Sequence, residues 1–114
     1  MEIKTFGEYQ KWAMKTQQQF PTHEARLTNA ALGLAGECGE VIEPIKKFLC
    51  GSKPELKPDK MREEIGGVLW YIASLCDCLG ITLQEVAEYN VKQLKKRHGD
   101  CYSGYGNRDG ESKD

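Results

Sequence analysis

Residues 31–48, ALGLAGECGEVIEPIKKF, place apolar side chains at helical spacing and set two acids, Glu37 and Glu40, among three glycines. Leu34, Cys38, Val41, Ile45 and Phe48 recur every three or four positions, and Leu27 and Ala31 carry the stripe back towards Thr22, a suitable cap. Forwards, the pattern runs to Gly51. A glycine inside a helix costs about 1 kcal/mol relative to alanine. Gly33, Gly36 and Gly39 therefore ask for an offset, and close approach of a neighbouring helix or of a ligand supplies one. Tight packing alone explains the glycines equally well, but it does not explain the acids.

Three further helices follow from the flanking sequence. Thr5 and Glu8 form a T-x-x-E capping box ahead of Phe6, Tyr9 and Ala13, predicting a helix over about residues 6–19 that Pro21 ends. GSKPELKPD, residues 51–59, carries two prolines and reads as a loop, with Asp59 as the expected cap of a helix over about residues 60–79. Its apolar positions are Ile65, Val68, Leu69, Ile72, Leu75, Cys76 and Leu79, and Gly80 is suited to the left-handed turn that stops it. A second capping box, Thr82 with Glu85, opens a fourth helix reaching Gly99. Four helices and no strand alternation predict an all-α, four-helix bundle-like domain over residues 1–99, with an irregular Gly-rich and polar tail over residues 100–114.

The chain has 114 residues, 39% hydrophobic and 29% charged, which suits one compact domain. A formal net charge of −1 gives no general field for a nucleic acid polymer or an anionic membrane, so any anion site is local. No stretch approaches the roughly 18 apolar residues of a membrane span, and the amino terminus has no signal-like pattern, so a cytoplasmic protein is expected. Five cysteines with no CxxC spacing argue against a disulfide framework or a zinc finger, and small apolar residues in a reducing compartment are expected instead.

Glu37 and Glu40 are three apart and share a helix face. Antiparallel packing of the second and third helices would bring Glu64 towards them, with Glu63 turned about 100° away. Three carboxylates at the edge of a core require a cation unless they form a solvated charged edge, and hard oxygens suit Mg²⁺ or Mn²⁺. Pro44 has no N–H for the Glu40 carbonyl and is expected to kink the helix there. Lys46 and Lys47, one turn on, suit either a polyphosphate or the helix dipole.

GLAGECGEV, then KK, REEIGGVLWYIA and NVKQLKKR, resembles the MazG-type all-α nucleoside triphosphate pyrophosphohydrolases, with their ExxE and ExxD acids. FGEYQKWAMKT before these motifs and YSGYGNRDGE after them extend the likeness over most of the chain, as in short phage and bacterial members. The resemblance implies hydrolysis of an NTP or dNTP to the monophosphate and pyrophosphate, with Mg²⁺ held by the acids and a metal-activated water attacking phosphorus. Residue by residue, Glu37 and Glu40 match ExxE and Glu64 the first acid of ExxD, as both metal ligands and catalytic residues; the fourth position is Gly67. Glu43, a turn beyond Glu40, is a candidate substitute, whereas Asp77 lies about 15 Å further along its helix than Gly67. Asn90 and Arg97 match polar positions near the nucleotide pocket, Lys92 or Lys96 is a stand-in, on another face, for the lysine common at Gln93, and Trp70 is an aromatic that either stacks a base or packs in the core. His23 and His98 receive no role. The resemblance also implies a homodimer or homotetramer, which two broad apolar stripes in a short chain independently favour. Gly67 and Gln93 leave open a catalytically impaired nucleotide-binding relative, and a helical interaction module is a further alternative.

Overall fold

The computed structural model describes residues 1–99, and these form four helices and no strand: α1 (Phe6–Met14), α2 (His23–Leu49), α3 (Pro58–Cys78) and α4 (Leu83–His98). The all-α expectation holds; the expected irregular tail over residues 100–114 lies outside the described residues. Met1–Leu83 form one compact unit, and a second begins at Gln84.

The capping box of α1 is present: the Thr5 hydroxyl accepts from the Glu8 N–H at 3.0 Å, and the Glu8 carboxylate accepts from the Thr5 N–H at 3.2 Å. The helix ends at Met14, earlier than its periodicity suggests. Thr16 turns its hydroxyl back onto the Ala13 carbonyl at 2.7 Å, and the Gln17 side-chain oxygen accepts from the Ser74 hydroxyl of α3 at 2.5 Å, so these residues bind across rather than continue the helix. Helix α3 begins at Pro58, because proline in the first turn has no N–H to leave unsatisfied. Asp59 is therefore not the cap; Lys57 precedes the helix without a side-chain cap, and Asp59 pairs with Arg62.

Both long helices end alike. Gly51 and Gly80 have φ of 88° and 77°, and the Ser52 and Ile81 N–H groups reach back to the Lys47 and Cys76 carbonyls at 3.0 Å each. This satisfies the last carbonyls and turns the chain sharply back.

Helices α2 and α3 run antiparallel. His23 Nε2 bonds to the Cys78 carbonyl at 3.0 Å, Arg26 pairs with Asp77 at 2.8 Å, Gly33 lies under the Tyr71 ring and Gly67 lies against Glu37. A Cβ on Gly33 would overlap that ring, so close approach explains this glycine. It does not explain Gly36 or Gly39, where a Cβ would meet nothing within 4 Å. Helix α1 is held to α3 by Gln10, whose amide donates to the Ala73 carbonyl at 3.2 Å, and by Trp70, whose indole N–H reaches Thr16 Oγ1 at 2.8 Å. Ala73, Cys76 and Leu83 form the buried cluster, with Tyr9, Met14, Leu69 and Ile72 packed on it.

The apolar stripes are only partly buried. Ala31, Cys38 and Phe48 of α2 are exposed, as are Ile65 of α3 and Leu79 just after it, because α2 turns Ala30, Gly33 and Glu37 towards α3. Leu32 and Leu49 are 69% and 75% exposed. Cys76 and Cys78 are buried as small apolar residues, whereas Cys38 and Cys50 are exposed. No single helix among the described residues is long and apolar enough to cross a membrane.

Candidate active site

The antiparallel pairing of α2 and α3 opposes two rows of residues. Gly67 faces Glu37, and one turn along, Glu64 and Glu40 line the same cleft. That cleft has a volume of about 570 Å³. Helix α2 contributes Glu40, Glu43, Pro44 and Lys47 to its wall, the loop after α2 contributes Lys53, Glu55 and Lys57, and α3 contributes Lys60 and Glu64. The glycine turn at Gly51 folds this loop back, which brings its lysines beside acids from both helices. Four carboxylates and four ammonium groups share the lining. Helix α2 is continuous through Pro44, which sits in the wall itself.

Charge inside the cleft is organised by Lys60. Its ammonium lies 2.7 Å from Glu64, four residues on. The hydrogen bond that Lys60 donates to Glu64, and then the charge of Glu64, hold Lys60 above the usual lysine range, and Glu63 and Glu40 add to this against a desolvation that opposes it. Glu64 is half-buried and Glu63 exposed, so the two adjacent acids do point apart. On the α2 wall of the cleft, Lys47 and Glu43, four residues apart, lie 3.9 Å from each other, a loose pair.

Several expected site residues are brought together and others are not. Glu40, Glu43, Lys47 and Glu64 line the cleft, and Glu37 stands at Gly67 beyond its edge; Lys46 is exposed and outside the lining. Trp70 directs its N–H to α1 and meets Tyr71 edge-on at 4.9 Å, and it too is outside the lining. Asn90, Lys92 and Arg97 lie on α4 in the second unit and are exposed. Sequence reasoning missed Lys53, Lys57 and Lys60. The signal was there in part, since Lys60 precedes Glu64 at the four-residue spacing of a helical ion pair.

Among the described residues no three Asp, Glu, His or Cys side chains are gathered closely enough to hold a metal ion as they stand. The donor chemistry nonetheless fits a hard divalent cation: Glu40 and Glu64 open onto one cleft from facing helices, and Glu37 precedes Glu40 by one turn. Glu64 is paired with Lys60 instead, at 2.7 Å.

The family model for the MazG nucleotide pyrophosphohydrolase domain matches residues 26–102. The chain belongs to the MazG family. The matched range takes in the acid rows of α2 and α3, the loop between them and all of α4. Among relatives of this MazG chain, the Gene 37 protein of Mycobacterium phage L5 is 34% identical over 74 residues, which is 62% of the chain. The chain covers 65% of that relative's length. No solved structure matches it.

Proposed function

We propose that this MazG chain hydrolyses a nucleoside triphosphate, an NTP or a dNTP, to the monophosphate and pyrophosphate with the help of Mg²⁺ or Mn²⁺. The carrying observation is the cleft, where acids from two antiparallel helices stand beside Lys47, Lys53, Lys57 and Lys60. Carboxylates suit a divalent cation and lysines suit the phosphates it accompanies. Glu37, Glu40 and Glu64 would hold the metal, with Glu43 next in line. When bound, the metal supplies charge neutralisation of the phosphates and a more acidic attached water.

The chain's own residues bind and orient the substrate. Lys47 and the loop lysines place the polyphosphate along the cleft, and releasing Glu64 from Lys60 frees both a carboxylate and an ammonium for it. Water oxygen then bonds to phosphorus, the bridging P–O bond between the α- and β-phosphoryl groups breaks, and the water's proton passes to solvent. Asn90, Lys92 and Arg97 of α4 are assigned to the nucleotide on the family motif alone. The exposed Leu32, Ile42, Leu49 and Ile65 support assembly into a dimer or tetramer; a monomer in sedimentation at micromolar concentration would remove that part. We place the activity in the cytoplasm, where nucleoside triphosphates are made.

Pyrophosphate release from a panel of the eight common NTPs and dNTPs with Mg²⁺ or Mn²⁺ tests the reading. Turnover that Glu40→Gln and Glu64→Gln each reduce by at least about a hundredfold is expected. A metal-replete protein inert on the whole panel overturns it. Gly67, where the family carries an acid, favours one second reading, a sensor that binds nucleotide without turnover; metal-dependent nucleotide binding by an inert protein is its signature.

A further inference from the structure

We propose that Gly67 is a positioning residue: lacking a side chain, it admits the Glu37 carboxylate onto the face of α3 and so determines where one of the three acids stands. An ideal Cβ on Gly67 would meet Glu37 Oε1, with Cδ at 3.1 Å and Cγ at 3.7 Å. The acid from α2 thus occupies the volume that a side chain from α3 would take. Gly66, one residue earlier, shows the contrast, since a Cβ there meets nothing within 4 Å. The space at position 67 is therefore specific to the side of α3 that faces Glu37. The obstructing atom is the far end of a flexible side chain, so a substitution at 67 displaces the carboxylate rather than the backbone.

The inference rests on the reading that Glu37, Glu40 and Glu64 hold a divalent cation. Positions 37, 40, 64 and 67 oppose one another as two pairs across the helices, Glu37 with Gly67 and Glu40 beside Glu64 in the cleft wall. At the first pair the site has one carboxylate and one opening, and the opening sets the reach of the carboxylate.

Mn²⁺ binding to the full chain, read by the loss of the free-ion electron paramagnetic resonance signal, tests this together with thermal unfolding. Gly67→Ala removes no ligand, yet it is expected to weaken Mn²⁺ binding about tenfold, as moving a ligand's support does, with Gly66→Ala unchanged. In a Glu37→Ala background, Gly67→Ala is expected to cause no further loss, because its effect passes through Glu37. Wild-type Mn²⁺ affinity in Gly67→Ala, alongside loss in Glu37→Ala, overturns the inference and leaves the metal reading intact. Unchanged affinity in Glu37→Ala overturns the metal reading and the inference with it. If Gly67→Ala does not fold, the double variant with Glu37→Ala is expected to fold, and its failure to do so also overturns the inference.

Discussion

The Lys60 ammonium is paired at 2.7 Å with the Glu64 carboxylate one helical turn away, and the Glu64 side chain is only 14% exposed. The lysine thus places a cation against one of the three acids proposed to hold the metal. Its raised pKa keeps it charged throughout the neutral range. Removing it by Lys60→Ala is expected to strengthen Mn²⁺ binding about two- to fivefold, the size of an exposed pair released, while raising KM for the nucleotide. Titration of Mn²⁺ and steady-state kinetics check the two signs separately; a weaker Mn²⁺ affinity would show that Lys60 supports the acids rather than competing for one.

Gly33 and Gly36 are separated by one turn but differ in surroundings. Gly33 lies under the Tyr71 ring and Gly36 faces open space. Gly33→Ala is expected to destabilise by about 1–3 kcal/mol through overpacking. Gly36→Ala is expected to stabilise by about 0.5–1 kcal/mol through helix propensity alone. Urea unfolding of the two variants gives both values, and equal shifts would refute the close contact.

Gln10 is buried and accepts from the Leu83 N–H at 2.8 Å while donating to the Ala73 carbonyl at 3.2 Å. Ala73, inside α3, has a helical donor for its carbonyl as well, whereas Leu83 opens α4, where the first N–H groups have no helical acceptor. Gln10→Met keeps the volume and removes the acceptor. A loss of about 1–3 kcal/mol, the cost of one buried unpaired N–H, is expected in denaturant unfolding.

Cys50 follows α2 and is exposed, and its thiol is pulled below the ordinary range first by the Ser52 hydroxyl and then by the Ser52 backbone N–H. A lowered pKa means more thiolate at neutral pH, hence faster alkylation. Ser52→Ala is expected to slow iodoacetamide modification of Cys50 by about twofold or more near pH 7, with the difference vanishing once pH exceeds the ordinary thiol value. Mass spectrometry of the Cys50 peptide against time reads the rate.

The helices were largely legible because their signals are local. Thr5 with Glu8 did cap α1, Gly80 did end α3 with a positive φ, and α4 began directly after Thr82. The end of α1 was not legible, since Gln17 and Thr16 are diverted by bonds to Ser74 and Trp70, residues 57 and 54 positions away. Asp59 has the chemistry of a cap, but Pro58 already begins the helix. At the candidate site, the approach of Glu64 to Glu40 followed from antiparallel packing of two acid-bearing faces. The loop lysines did not follow, because their place in the lining depends on how the chain returns from Gly51 to the start of α3.

By itself the sequence determined four helices, most of their ends and the spacing of Glu37, Glu40 and Glu64, since helical hydrogen bonds and caps join residues three or four apart. Tertiary structure decided which face of α2 meets α3, that Gly33 is crowded while Gly36 and Gly39 are not, and that Glu37 lies in the space left by Gly67. Those outcomes depend on packing between residues 30 or more positions apart, where volume and approach distance select among faces that a helical repeat leaves equivalent.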